Sequence, residues 1–133
     1  MNAQSRRDGQ DLYSFGEFTL DIPDRCLRHG RRPVHLAPKT YDVLVALVRR
    51  AGRLVTKQYL LARVWPGIIV DEGIVSVHVA SLRKALGDTR CSPAYIETVS
   101  GWGYRFIGSI VPTARGEAEG GEHSAWLDRE ERL

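Results

Sequence analysis

Cysteine is scarce in this chain of 133 residues: Cys26 and Cys91 are the only two, far apart and in no Cys-x-x-Cys arrangement. That argues against a disulfide framework or a thiolate zinc site and leaves reduced thiols as the default. Long apolar runs are lacking as well. The longest, Val43 to Val48, falls far short of the roughly 20 residues a spanning helix needs. The opening MNAQSRRDGQ carries two arginines but no apolar stretch behind them, so it does not read as a signal peptide. The expectation is a cytoplasmic, soluble chain. Enzyme signatures are missing too. There is no G-x-x-x-x-G-K-[ST], no G-x-G-x-x-G and no H-E-x-x-H. His29, His35, His78 and His123 do not fall at metal-ligand spacings, and Asp24, Asp42, Asp71 and Asp88 stand isolated. Neither catalysis nor a cofactor or metal is expected.

Acidic residues are sparse over most of the chain and concentrated at its end. Residues 1–112 hold 16 basic and 10 acidic side chains, a net +6, whereas the remainder holds three basic and six acidic, a net −3. A basic body suits a polyanionic partner, although a charge this modest also occurs in proteins that bind no nucleic acid. The length fits one domain with tails, and a 43% hydrophobic content is an ordinary globular balance.

Along the chain, residues 1–10 are polar and expected to be disordered. Leu12 to Asp21 alternates, imperfectly around Gly16, and reads as one strand. Pro23-Asp24 marks a turn. Arg25–Arg28 and Val34–Leu36 read as two further short strands joined through His29-Gly30, with Arg28, Arg31 and Arg32 as a solvated basic turn. Pro38 opens a first helix whose Tyr41, Leu44, Leu47, Val48 and Ala51 face inward, with Gly52 as its stop. Lys39, Arg49, Arg50 and Lys57 read as helix-end charges, of which Lys39 and Lys57 could also lie along a polyanion. Leu54-Val55 is an extended link. Thr56 caps a second helix through Leu60, Leu61 and Val64 to Trp65, where Pro66 ends it. From Arg115 the chain is Gly/Glu-rich and reads as an acidic tail or linker over 112–133, with Trp126-Leu127 as either a short docking motif or a frayed end.

The most informative stretch is Asp71 to Phe106. Asp71 or Glu72 can cap a third helix that Gly87 stops. Val75, Val79, Leu82 and Leu86 stack on one face, and with Leu54, Leu60, Leu61 and Val64 they form the expected core. The opposite face offers Ser76, Ala80, Ser81, Arg83 and Lys84: short side chains, then cations. A helix that enters a DNA groove needs short side chains and donors there, although an ordinary surface helix with a basic last turn looks the same. Tyr95 to Val99 then reads as a strand, Ser100-Gly101-Trp102-Gly103 as a reversal and Tyr104 to Ile107 as the returning strand. Helix, loop and terminal hairpin are the order of a winged helix.

Two motifs carry a family resemblance. Val79-Ala80-Ser81-Leu82-Arg83-Lys84-Ala85-Leu86 matches V-x-x-L-R-K-x-L, and Ile96-Glu97-Thr98-Val99-Ser100-Gly101-Trp102-Gly103-Tyr104-Arg105-Phe106 matches I-x-T-V-x-G-x-G-Y-R-F. The chain thereby resembles the DNA-binding effector domains of OmpR/PhoB-type transcription regulators over about residues 11–111. The resemblance implies an α+β fold: a winged helix-turn-helix with an N-terminal antiparallel sheet, three helices and a C-terminal β-hairpin wing. It also implies double-stranded DNA as partner, the third helix in the major groove, the wing over the adjacent minor groove, and head-to-tail dimers on direct repeats. Some relatives carry the domain ahead of a membrane span or sensor, in a CadC/ToxR-like arrangement, and the linker-like tail suits that. The rival reading is a winged helix used for protein–protein contact.

By the same resemblance the DNA-contacting positions include Gly73, His78, Ala80, Ser81 and Arg83 on the helix. Ser76 and Lys84 lie beside them, and Thr98, Ser100, Trp102 and Arg105 lie on the wing. Arg83 can reach a phosphate or a guanine edge. His78 is either a packed histidine or a phosphate donor. Trp102 either wedges against sugar or folds back on the sheet, and Arg105 meets phosphate or forms an ion pair. Tyr104 and Phe106 are expected against the helices. The loop Trp65, Gly67, Ile68, Ile69, Val70 and Asp71 can contact RNA polymerase, with Trp65 either packed beneath it or part of the contact. Relatives often carry arginine at positions 80, 81 and 100. Their replacement by Ala80, Ser81 and Ser100 implies a different sequence preference and weaker affinity per domain.

Overall fold

A computed structural model describes residues 12–112; the expected N-terminal disorder and acidic tail lie outside the described residues, apart from Pro112. The chain divides into two compact units, one of residues up to Val34 together with those from Ser109, the other His35–Gly108.

The first unit is an antiparallel sheet of β1 (Leu12–Phe15), β2 (Phe18–Asp21), β3 (Cys26–His29), β4 (Arg32–Val34) and β8 (Val111–Pro112), in the order β4-β3-β2-β1-β8. Leu12–Asp21 is therefore a hairpin and not the single strand the alternation suggests. Gly16, at φ +59°, opens a two-residue turn that sets Phe15 opposite Phe18. The apolar period runs on through so short a turn, which hides it. The next two strands also begin elsewhere than expected. Arg25 takes a positive φ of 47° and donates its N–H to Ile22 O, so β3 starts after it. β4 starts earlier than expected and includes Pro33, tolerated because β4 is an edge strand. The register lines up Tyr13, Leu20, Leu27 and Val34 in one cross-strand row. β8, which pairs with β1, carries no alternation that the sequence could have shown.

The second unit holds α1 (Pro38–Arg49), β5 (Leu54–Thr56), α2 (Lys57–Val64), α3 (Gly73–Leu86), β6 (Ile96–Val99) and β7 (Gly103–Phe106). Pro38 sits in the first turn of α1, where a missing N–H costs nothing. Tyr41, Leu44, Leu47 and Val48 are buried as expected, while Ala51 lies past the helix end and is half-buried. Leu54-Val55 is more than a link: β5 is the third strand of the wing sheet, in the order β5-β7-β6. Three residues are too few for alternation to declare a strand.

Thr56 caps α2, its Oγ1 accepting from Tyr59 N at 3.0 Å. At the other end Lys39 Nζ donates to Val64 O at 2.8 Å, a cation on the C-terminal carbonyls. α3 is capped by Asp71, whose Oδ1 accepts from Gly73 N at 3.1 Å; the Glu72 side chain takes no part. Gly87, at φ +70°, stops α3 in the left-handed conformation that glycine adopts without strain. The core joins Val75, Val79, Leu82 and Leu86 of α3 to Leu60 and Val64 of α2, Val55 of β5, Ile96 of β6 and Phe106 of β7. Each such side chain contributes about 1.5–3 kcal/mol of burial. Leu54 and Leu61 reach only half-burial and stand at its rim. Among the described residues no helix is long and apolar enough to cross a membrane.

Candidate nucleic-acid interface

With its apolar stripe buried, α3 turns Gly73, Ser76, Val77, Ala80, Ser81 and Lys84 outward. These recur three and four residues apart and so form one continuous exposed face. No acid lies on it, and Lys84 is its one cation.

The segment from α3 to β6 is organised by Asp88, which the sequence left isolated. Its Oδ1 accepts from Thr89 N (3.0 Å) and Ala94 N (2.6 Å), and its Oδ2 from Tyr95 N (3.1 Å) and Ile96 N (2.8 Å). Burial alone would raise the carboxyl pKa, but the backbone N–H bonds from Ala94, Ile96, Tyr95 and Thr89 together outweigh it and hold it below the ordinary aspartate value. Arg83 makes a second tie between α3 and β6: its Nη2 donates to Ile96 O at 2.9 Å and to Thr98 Oγ1 at 2.7 Å. The arginine singled out for DNA contact thus spans helix and wing, with the Thr98 hydroxyl oxygen as its acceptor.

The two glycines of the wing do different work. Gly101, at φ +83°, provides the left-handed third position of a turn closed by Trp102 N on Val99 O at 2.9 Å. Gly103 is needed for space, because a Cβ there would collide with the Val55 carbonyl and lie 2.8 Å from Thr56 Cα. Trp102, at the tip, is 65% exposed and does not fold back on the sheet. Tyr104 and Phe106 are buried as expected, with Tyr104 Oη 3.3 Å from Ser76 Oγ on α3. Arg105 Nη1 pairs with Glu97 Oε1 across the hairpin at 2.8 Å.

Between α3 and the wing runs an open groove of about 750 Å³. Ser76, Ala80 and Lys84 line one wall and Thr98, Ser100 and Gly101 the other, with Arg83 at the base. Lys57 and Arg90 add two cations, and among the described residues Asp88 is the only carboxylate in the lining. Lys57 carried two readings in the sequence and Arg90 none; the available signal was a cation lodged between helix stop and wing. Ser81 is exposed but does not line the groove.

His78 and Trp65 lie together instead. His78 Nδ1 and Thr40 Oγ1 share a hydrogen bond of 2.8 Å, and the His78 ring sits 5.4 Å from the buried Trp65 ring. Beyond Trp65, Ile68 and Ile69 of the α2–α3 loop are exposed, Ile69 completely.

This arrangement is matched in known proteins. A family model described as "Transcriptional regulatory protein, C terminal" matches residues 31–106. The chain is 31% identical over 97 residues to the KDP operon transcriptional regulatory protein KdpE of Escherichia coli, covering 72% of this chain and 43% of that protein. It is 36% identical over 99 residues to the transcriptional regulator HilA of Salmonella typhimurium, covering 74% of this chain and 18% of that protein. The chain therefore spans less than half the length of these curated relatives. Among solved structures, the Klebsiella pneumoniae RstA DNA-binding domain in complex with RstA box aligns with a TM-score of 0.65 at 33% identity, covering 72% of this chain and 96% of that one. The DNA-binding domain of E. coli CadC aligns with a TM-score of 0.66 at 27% identity, covering 77% and 96%.

Proposed function

We propose, for a chain that belongs to the transcriptional regulatory protein C-terminal family and has its OmpR/PhoB-type winged-helix fold, that it binds double-stranded DNA sequence-specifically and so regulates transcription. The observation that carries this reading is the groove between α3 and the wing: Lys57, Arg83, Lys84 and Arg90 line it, and its one carboxylate among the described residues is already occupied by four backbone N–H groups. A B-DNA major groove about 12 Å wide admits a helix. With α3 in the major groove and the wing over the neighbouring minor groove, the sugar–phosphate strand between them runs along this cationic cleft. The complex of the similar RstA domain with its box supports the reading.

In this reading Lys57, Lys84 and Arg90 neutralise phosphates, and Ser76 and Ser81 donate to phosphate or base. Ser100 and Trp102 carry the wing tip to the minor groove. Arg83 and Thr98 fix the angle between helix and wing, His78 anchors α3 to α1, and Arg105 stiffens the hairpin. The DNA-binding domain runs over residues 11–111 and works in the cytoplasm, where its ligand is. The exposed Ile68-Ile69 pair, with Gly67, Val70 and Asp71, supplies an apolar contact for RNA polymerase, and two copies bind head to tail on a direct repeat. Selection from a random duplex pool followed by sequencing tests this. An enriched motif repeated about one helical turn apart supports a specific regulator; an unenriched pool overturns it and leaves a winged helix used for protein contact.

A further inference from the structure

The exposed face of α3 has a composition that limits which bases it can read. Guanine is read chiefly by arginine or lysine, adenine by asparagine or glutamine, cytosine by acids, and the thymine 5-methyl group by small apolar side chains. The face holds no arginine, amide or acid, and its one cation, Lys84, stands in its last turn. Arg83 is not one of the side chains this face presents: it is half-buried, and its Nη2 is held by Ile96 O and Thr98 Oγ1. At the middle of the face stands Val77, an apolar side chain left 59% exposed, with the exposed Ala80 one turn further on. Burial in the core does not account for a valine at that position.

We propose that Val77 and Ala80 read thymine 5-methyl groups in the major groove, so that the preferred sites of this chain carry thymines at neighbouring base steps and depend on those methyls. The inference rests on the DNA-binding reading and deepens it. Residues three apart on one helix face, as Val77 and Ala80 are, have Cβ atoms about 5–6 Å apart, a span that side chains of this size bridge to two neighbouring base steps stacked about 3.4 Å apart. Their methyl groups can therefore meet those of adjacent thymines. Ser76 and Ser81 flank the pair and bond to either kind of base edge, which leaves the apolar contact to discriminate.

The test uses the full chain and one random duplex pool. Sequences are selected from the thymidine form, and the enriched duplex is then made twice, with thymidine and with deoxyuridine, which lacks only the methyl. The expected loss on removing the methyls is roughly fourfold for each contact, about fifteenfold for two. Val77→Ser and Ala80→Gly should each shrink the thymidine-to-deoxyuridine ratio while leaving the salt dependence unchanged. Equal affinity for both forms overturns the thymine reading and leaves DNA binding intact. A methyl effect that persists undiminished in both variants overturns it too, because the methyl then acts through duplex shape. Failure to bind any duplex, with no salt dependence, overturns the DNA-binding reading itself.

Discussion

Arg83 Nη2 lies 2.7 Å from Thr98 Oγ1, and this bond fastens the exposed helix to the first strand of the wing. The same nitrogen reaches Ile96 O, so one guanidinium sets the spacing of the two elements that flank the cationic groove. Hydrogen bonds to charged groups are worth about 1.5–3 kcal/mol. Thr98→Val and Arg83→Lys should each cost about 1–2 kcal/mol of folding stability, and the double variant less than their sum. In binding assays Arg83→Lys should weaken all duplexes alike. A loss confined to one base position would return Arg83 to the role of base reader.

Asp88 gives the fold an acid limb. Its folded pKa lies below the ordinary value, so at neutral pH the folded state gains the stability of an ionised, fully bonded carboxylate. As pH falls past about 4 the unfolded chain takes up a proton that the folded chain refuses. The stability that Asp88 contributes then declines, and that contribution is gone once pH passes below the lowered folded pKa. Denaturant unfolding between pH 7 and pH 3 should show this decline, and Asp88→Asn should flatten it while costing about 3 kcal/mol at pH 7. An unchanged slope in the variant would contradict the assignment.

The wing glycines should respond unequally. Gly103→Ala places a Cβ against the Val55 carbonyl and Thr56 Cα, and overpacking of this kind costs about 3 kcal/mol. Gly101→Ala meets open space but must hold φ near +83°, which costs about 1 kcal/mol. Thermal unfolding of the two variants checks the order, and a reversed order would contradict the account of β5 and β7.

Trp102 should prove dispensable for folding and needed for binding. At 65% exposure its truncation to alanine should change stability by less than about 0.5 kcal/mol and lower the affinity for duplex DNA several-fold. Equal affinity for variant and parent would remove the tip from the interface.

Much of this was legible in the sequence because it rests on period and punctuation. Val75, Val79, Leu82 and Leu86 declared α3, Gly87 declared its end, Thr56 its neighbour's cap, and the glycines around Trp102 the wing. What escaped lies in long-range contacts. Asp88 looks like any aspartate after a helix until the backbone of Ala94, Tyr95 and Ile96 returns to it. Arg83 reads as a free cation until Thr98 and Ile96 fold beneath it. The strand β5 is visible only through its partner Tyr104, and the hairpin at Gly16 is masked by an apolar rhythm continuing through its turn.

The central claim is that the α3–wing cleft holds a phosphodiester strand, and the most direct test is the salt dependence of duplex binding in the parent and in Lys57→Ala, Lys84→Ala and Arg90→Ala. Each phosphate contact contributes about −0.9 to the slope of log K against log salt. The account predicts a parent slope of about −3 or steeper, reduced by roughly 0.9 in each variant. A flat parent slope, or three variants with the parent's slope, would contradict it.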